Sequence, residues 1–327
     1  MSLSKKYKNG SNFNWRKRML GCTKGSGVGT TFNWQLRMLK QQAAKCINDD
    51  FQTVPPTIFF TMVFTSITDV ETFFGTPLVT LTDWQNLTQL GGLTSIYSID
   101  ATTVVFTIDP LAYNFIPAND FFFSQNQYLI QIIDDWGIIY GADFFSFVSS
   151  PFLSVVYLPA LDYVGFGAFS GCPIVNLYAP NVTYVEANGF QGIRVTTLNF
   201  PILTFIDGTS FEFCSFLRDF TAPLLDTISG VGAFRNCTAL EVVDIPNCQF
   251  WTDTGVFDNC NSLTDIYAPL LVQMGLTVGD DTIFVNIVGN AMTLTVPLAM
   301  QTNNGGLPDG DIQTLLINSP GVTLNYV

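Results

Sequence analysis

The residues of this sequence that could do chemistry are its carboxylates and its seven cysteines, because the chain contains no histidine. Without histidine, neither Ser-His-Asp nor Cys-His catalysis is available, and metal sites that use imidazole ligands are excluded. The glycine-rich patterns that bind nucleotide phosphates, Walker A and Gly-x-Gly-x-x-Gly, are also absent. These observations predict a protein that is not an enzyme and that needs no metal or cofactor.

Three places in the sequence bring carboxylates close together along the chain. Asp134–Asp135 and Asp280–Asp281 are sequence neighbours, and the side chains of neighbouring residues diverge on a strand. Asp309 and Asp311 flank a glycine and could share a calcium ion with the amide oxygens of Asn303–Asn304. Because Asn, Asp and Gly are the residues that tight turns need, the turn alone explains this segment and no metal site is expected.

A polysaccharide lyase or hydrolase built on a β-solenoid is the enzyme alternative. It would need two carboxylates, or a carboxylate with Lys or Arg, on one face of the fold. The basic residues after position 48 are Arg194, Arg218 and Arg235, and they occupy different positions of the repeat described below. The sequence therefore contains no arrangement of side chains that favours this alternative.

The cysteines form no recognisable metal or disulfide pattern. No Cys-x-x-Cys pair occurs, and four cysteines recur at one position of a repeat, namely Cys172, Cys214, Cys237 and Cys260. Parallel side chains on stacked coils disfavour a disulfide bridge even at short range. We expect a buried row of free thiols that act as small apolar residues, which leaves the redox compartment undetermined.

The element that must position these residues is a repeat of 21 to 24 residues in the middle of the chain. A proline follows the later anchors of the repeat after eleven to fourteen residues, and aliphatic residues recur after the proline. A fixed period in this range predicts a solenoid of stacked coils. The repeat aligns on a phenylalanine, and the anchors are Phe122, Phe145, Phe169, Phe190, Phe211, Phe234 and Phe257.

One copy of the repeat shows how a coil forms. Val242–Ile245 is rich in β-branched residues and predicts a short strand, which Pro246 ends because proline has no N–H for the ladder. Cys248–Trp251 predicts a second short strand, and a tight turn then points a phenylalanine and a cysteine inward. One coil cannot bury its own apolar side, so the coils must stack about 4.8 Å apart. Rings buried in that stack account for the 30 phenylalanines without an aromatic binding site.

The pattern Phe-x-x-Cys-x-x-Leu, followed by apolar-x-x-Pro and apolar-x-x-Ile/Val, resembles the BspA-like leucine-rich repeats. The resemblance covers about residues 119–275, and in two copies Val148 and Ile193 stand where cysteine is expected. It implies a mainly β solenoid, no catalytic residue, and binding or adhesion on bacterial surfaces or in phage particles. The expected structural ladder consists of Phe145, Phe169, Phe190, Phe211, Phe234, Phe257, Cys172, Cys214, Cys237 and Cys260.

Charge is divided unevenly along the chain. Residues 1–48, here called the arm, contain ten basic residues and no acid, a formal charge of +10. Residues 49–327 contain three basic residues and all 26 acids, a formal charge of −23. An asymmetry of this size predicts that the arm docks on something acidic.

The arm contains the motif Phe-Asn-Trp-x-x-Arg-Met-Leu twice, offset by 19 residues. The two copies predict short helices joined by the flexible segment Gly25–Gly29. Two like copies favour other protein subunits as partners, with two equivalent sites on one subunit or one site on each of two. Packing on the protein's own body is the first alternative, and a nucleic acid or a membrane surface is a weaker one. The expected anchor residues are Phe13, Trp15, Arg16, Arg18, Leu20, Phe32, Trp34, Arg37 and Leu39.

We expect four parts: the arm at 1–48, irregular β-rich leading coils or a cap at 49–118, the solenoid at 119–288 and a closing cap at 289–327. The arm lacks the apolar core and cleavage site of a signal peptide, and no later stretch approaches 18 consecutive apolar residues. The sequence thus predicts a structural or binding protein of a phage virion, anchored by the arm, whose solenoid binds a host-surface protein or glycan. A BspA-like adhesin on a bacterial cell surface is the alternative.

Overall fold

The computed structural model describes residues 58–75, 77–88, 93–108, 114–116, 123–134, 137, 139–277 and 282–327. The chain divides into two units, residues 1–56 and residues 57–327, and all described residues belong to the second. The arm and its predicted helices therefore lie outside the described residues. For the second unit, the prediction of a mainly β solenoid is confirmed.

The first described segment is an antiparallel sheet with two helices. Strand β1 runs antiparallel to β3 and also to β5, the strand that begins the solenoid on this side. Strands β1 and β3 thus pair antiparallel, in contrast to the parallel strands of the solenoid. The elements are β1 (Ile58–Phe64), α1 (Ile67–Phe74), α2 (Leu81–Thr88), β2 (Leu93–Ile99), β3 (Thr103–Ile108) and β5 (Leu129–Asp134).

Helix α1 forms from local capping signals in the sequence. The side chain of Ser66 accepts a hydrogen bond from the backbone N–H of Asp69, which caps the first turn. Gly75 ends the helix in the left-handed conformation that glycine adopts without steric cost. Ile67 and Val70 are buried on the inner side, so local capping and two apolar contacts hold this helix.

The solenoid proper is built from parallel strands on two sides of each coil. One side is an eight-stranded sheet in the order β18-β16-β14-β12-β10-β8-β6-β4. Its strands are β4 (Asn114–Ile116), β6 (Ile139–Ala142), β8 (Tyr163–Val164), β10 (Tyr184–Val185), β12 (Phe205–Ile206), β14 (Thr227–Ile228), β16 (Phe250–Trp251) and β18 (Gln273–Met274).

The second side carries the longer strand of each coil and belongs to two sheets. One sheet has the order β2-β3-β1-β5-β7-β9, and the other has the order β11-β13-β15-β17-β19-β20. The strands of this side after β5 are β7 (Val155–Tyr157), β9 (Asn176–Tyr178), β11 (Thr197–Asn199), β13 (Asp219–Thr221), β15 (Val242–Asp244), β17 (Asp265–Tyr267), β19 (Thr293–Val296) and β20 (Thr323–Tyr326).

The third side of each coil is the turn that carries the inward phenylalanine, and we call its outer surface the turn face. Backbone bonds join these turns from coil to coil, as in Phe211 N–H to the oxygen of Ala233 and Phe234 N–H to the oxygen of Val256, both 2.9 Å. Inside, the rings stack with centroids 5.0 to 6.0 Å apart and planes within 21°. The stacked row is Phe147, Phe169, Phe190, Phe211, Phe234, Phe257 and Phe284.

The structure corrects the ladder at its first expected member. Phe147 is fully buried and stacks on Phe169, whereas Phe145 is half-buried and lies against Phe144 and Phe166. The cysteine position of this coil is therefore Ser150 and not Val148, because Ser150 follows Phe147 by three residues.

The backbone explains this register. Two residues before and two residues after each inward ring from Phe147 to Phe257, the chain adopts a left-handed conformation, with Gly232 and Asn236 around Phe234 as one example. Phe145 is the left-handed residue before Phe147, with a φ of 54°. Its side chain is directed outward there, so it cannot serve as the inward ring. Gly and Asn dominate these positions because they tolerate positive φ.

The C-terminal end closes the solenoid with a short 3₁₀ helix (Leu298–Gln301), the helix α3 (Gly310–Asn318) and β20. Asp309 caps α3 by accepting the N–H of Asp311, and Ile312 and Leu315 are buried. The Oδ1 atom of Asp311 accepts the N–H of Ile283 at 2.6 Å, which ties the helix to the coil before it.

Candidate functional site

The nine expected anchor residues of the arm lie outside the described residues, so their role stays a prediction. The other expected residues belong to the ladder. Phe169, Phe190, Phe211, Phe234 and Phe257 are each fully buried within the stack described above. They hold the coils together and cannot touch a ligand, so any binding site must lie on the outer faces.

The four cysteines of the ladder are buried and free. They are more than small apolar residues, because each thiol donates a hydrogen bond to a backbone carbonyl of the preceding coil. Burial raises the pKa of Cys172 to about 12 and holds the pKa values of Cys214 and Cys237 well above the ordinary range. Thiols in this state are poor nucleophiles.

The described carboxylates that the sequence brought together serve as hydrogen-bond acceptors. Asp134 accepts the backbone N–H groups of Gly137 and Ile139 at 2.9 and 2.7 Å. Asp309 accepts an amide N–H from Asn303 at 3.2 Å in addition to capping α3. Among the described residues, no group of three or more His, Cys, Asp or Glu side chains is placed to hold a metal ion.

The turn face carries a hydrogen-bonded row that crosses four coils. Ser170 donates to Gln191, Gln191 donates to Glu212, and Arg235 donates to Glu212, at 2.8, 2.8 and 2.7 Å. The Arg235–Glu212 contact is also an ion pair in which Glu212 is almost buried. Because every member of this row has a partner, the row is an ordered polar strip of the turn face.

Phe213 interrupts the turn face. It occupies the left-handed position after Phe211, where the neighbouring coils carry Gly192 and Asn236, and its φ is 60°. Its side chain is 54% exposed. A bulky residue with positive φ is strained, and such strain is frequently found at functional positions. The sequence signal, a phenylalanine where other copies have Gly or Asn, was available but was hidden by the many other phenylalanines.

The outward surface of the eight-stranded sheet is here called the aromatic face. The rings of Tyr163, Tyr184 and Phe205 stack along it with centroids 6.1 and 4.7 Å apart. Each ring covers the face of the next, so mainly ring edges reach the solvent. Carboxylates lie before or after these strand positions in several coils, and they are Asp143, Asp162, Glu186, Asp207 and Asp226.

The longer-strand side also carries a pair of carboxylates that sequence reasoning missed. Asp244 and Asp265 belong to the adjacent strands β15 and β17. Burial raises the pKa of Asp265, and the charge of Asp244 raises it further. The pair becomes visible only in the folded state, because 21 residues of sequence separate the two side chains.

These features define a repeat solenoid with an apolar, ring-stacked interior and ordered outer faces, a class of protein that binds partners over an extended surface. Residues 143–264 match the BspA type leucine rich repeat region in six copies. No significant match was found among the curated proteins. A crystallised leucine-rich repeat protein from Bacteroides ovatus ATCC 8483 is 10% identical, over 58% of this chain and 76% of that chain, with a TM-score of 0.21.

Proposed function

We propose that this protein is a non-enzymatic binding protein of a phage-type particle, attached by its basic arm and displaying the solenoid to a ligand. The observation that carries the binding role is Phe213, a strained and exposed ring beside the hydrogen-bonded row of Gln191, Glu212 and Arg235. The BspA-type repeats support a binding role of this kind. The charge division between arm and body supports attachment through the arm.

The surroundings of Phe213 suit a host-surface glycan or a protein. The N–H of Phe213 bonds to the carbonyl oxygen of Arg235, so the backbone of Phe213 lies beside the two residues of the Arg235–Glu212 ion pair. An exposed aromatic ring offers an apolar contact, and the adjacent Gln191, Glu212 and Arg235 side chains offer polar contacts that fix orientation. Such a combination of one ring with charged neighbours is typical of binding hot spots.

The test is binding of the full-length protein to a printed array of bacterial surface polysaccharides and to intact bacterial cells. We expect Phe213→Asn to lower binding at least tenfold, because Asn fits the backbone but removes the ring. The matched control is Phe152→Asn, which changes a ring of similar exposure (50%) three coils away. Equal binding by the wild type and Phe213→Asn would show that this ring is not the ligand site.

A second experiment separates the particle from the alternative of a cell-surface adhesin, which the BspA-type repeats also support. Mass spectrometry of gradient-purified particles and of washed cell envelopes would locate the chain. We expect it in the particles at a fixed ratio to the capsid protein. Its recovery only with the envelope would favour the adhesin. Release of reducing sugar from the arrayed polysaccharides would instead favour the enzyme alternative.

Among the described residues, no helix combines the length and the apolar content that crossing a bilayer demands.

A further inference from the structure

The aromatic face combines a ridge of stacked rings with carboxylates and, within the described residues, has no arginine. It carries the ridge of Tyr163, Tyr184 and Phe205 between rims of carboxylates. The three arginines of the described residues lie elsewhere. Arg218 pairs with Glu241, and Arg235 pairs with Glu212. Arg194 lies just before β11, a strand of the longer-strand side. No arginine of the described part neutralises a rim carboxylate.

Hydrogen bonds from neutral groups hold the rim carboxylates in place and do not compensate their negative charge. Glu186 accepts a hydrogen bond from the hydroxyl of Tyr163 at 2.6 Å and from the N–H of Phe166 at 2.8 Å. Asp226 accepts an amide N–H of Gln249 at 2.9 Å. These neutral partners orient the carboxylates without cancelling their charge. Consistent with a negative field, the pKa of Tyr184 is raised first by burial and then by the charges of Asp207 and Glu186.

We propose that the aromatic face receives the arm, residues 1–48, of a second copy of this chain. This inference rests on the proposed role of the arm as an anchor and names its partner. The arm is the complement of the face in composition, with ten cations, no acid and two Phe-Asn-Trp-x-x-Arg-Met-Leu motifs. Exposed ring edges pack well against the faces of Trp15 and Trp34, because aromatic pairs favour edge-to-face contact.

We expect a second copy as the partner because one arm carries more motifs than one body has matching sites. Each arm carries two copies of the motif, whereas the described part of each body has one aromatic ridge that is flanked by carboxylates, so one body cannot satisfy both motifs equally. Two motifs on one arm instead link neighbouring bodies, and such linkage raises avidity. The contact is heterologous, because the arm of one copy binds the aromatic face of another copy. Contacts of this kind build rings or longer arrays.

The test is sedimentation velocity of the full-length protein from about 1 to 50 µM at low and high salt. We expect reversible self-association that weakens at least tenfold between 50 and 500 mM NaCl, because exposed ion pairs are screened. Neutralising the rim with Asp162→Asn, Asp207→Asn and Asp226→Asn together should weaken association at least tenfold. The matched control, Asp219→Asn, Asp244→Asn and Asp265→Asn, removes the same charge from the other sheet and should leave association unchanged.

Thermal melting of each variant shows whether it is folded. If a rim variant does not fold, the arm variant Arg16→Glu, Arg18→Glu and Arg37→Glu tests the same contact from its other side and should be monomeric. A protein that stays monomeric at 50 µM in low salt, or equal association of the rim and control variants, overturns the inference. Loss of ligand binding in Phe213→Asn with unchanged self-association separates this contact from the proposed ligand site.

Discussion

The Sγ atom of Cys237 donates a 3.0 Å hydrogen bond to the backbone carbonyl oxygen of Phe211, which lies in the preceding coil. The relationship recurs along the solenoid, from Cys172 to the Phe147 oxygen and from Cys260 to the Phe234 oxygen. In the coil where serine takes this place, the Ser150 hydroxyl donates to the Phe123 oxygen at 2.7 Å. The position therefore selects a small buried donor, and the thiol links one coil to the next.

This contact predicts an order of stability among substitutions at Cys237. Cys237→Ala removes the donor and leaves a small void, and we expect a loss of about 1–2 kcal/mol in the free energy of unfolding. Cys237→Ser keeps a donor and should cost less, as Ser150 shows that a hydroxyl is accepted here. Urea unfolding followed by circular dichroism measures both. A larger loss for Ser than for Ala would mean that the thiol acts only as an apolar group.

The corrected register of the ladder is testable with three alanine variants. Phe147→Ala removes a fully buried, stacked ring and should cost about 3–5 kcal/mol, as should Phe234→Ala. Phe145→Ala removes a half-buried ring from an outward, left-handed position, so its cost should be less than half as large. Chemical unfolding of the three variants decides the register. Equal costs at 145 and 147 would contradict the placement described here.

The thiols predict a loss of stability at high pH. In the folded protein, burial raises the pKa values of Cys172 and Cys248 from 9.0 to about 12. Between these values the unfolded chain has released the thiol protons and the folded chain still binds them, so the stability falls as the pH rises. The two buried thiols contribute their full stabilisation of the fold below pH 9, and this stabilisation is lost by about pH 12.

The measurement is urea unfolding at pH 7.5 and pH 10.5, combined with mass spectrometry after iodoacetamide treatment. We expect lower stability at pH 10.5 and slow alkylation of both cysteines in the folded protein at pH 8.5. The double variant Cys172→Ser/Cys248→Ser should show a smaller decrease between the two pH values. Rapid alkylation of the folded wild type at pH 8.5 would mean that these thiols are accessible.

The period of the repeat was enough to predict the solenoid, because stacking is dictated by the spacing of the inward rings. The register at Phe145 was not predictable from spacing alone, since four residues from Phe144 to Phe147 include three phenylalanines. Gly167 and Gly171, two residues before and after Phe169, mark the left-handed positions that flank an inward ring. The same spacing would have identified Phe147 as the inward ring of its coil. Contacts between coils, such as the Asp244–Asp265 pair and the Tyr163–Glu186 bond, depend on the stacking itself and have no local sequence signal.

The strain at Phe213 predicts a substitution that stabilises the protein. Phe213→Asn replaces a ring in the left-handed conformation with a residue that the next coil carries at the same position, Asn236. We expect the free energy of unfolding to rise by on the order of 1 kcal/mol, because the backbone strain is relieved and an exposed ring contributes little to the core. Phe152→Asn, at a position without positive φ, should bring no such gain. A loss of stability in Phe213→Asn would show that the ring supports the fold and is not kept for binding.

We expect the arm to be required for assembly but not for folding of the solenoid. The stacked rings and strand ladders described above join residues of the solenoid to one another, so a chain lacking residues 1–48 should fold with a melting temperature close to that of the full chain. It should no longer join its assembly, because the ten cations and both tryptophan motifs are gone. Circular dichroism reports the fold, and co-sedimentation with the assembled particle or with the full chain reports attachment.

Single substitutions in the arm show whether both motifs contribute. Trp15→Ala and Trp34→Ala should each weaken attachment, and the double variant should abolish it, because two linked contacts give an avidity that neither provides alone. Raised salt should weaken attachment of the single variants further, since exposed charges are screened within about 8–10 Å. If the shortened chain unfolds, the arm is a cap on its own body, and if it assembles normally, the arm is not the anchor.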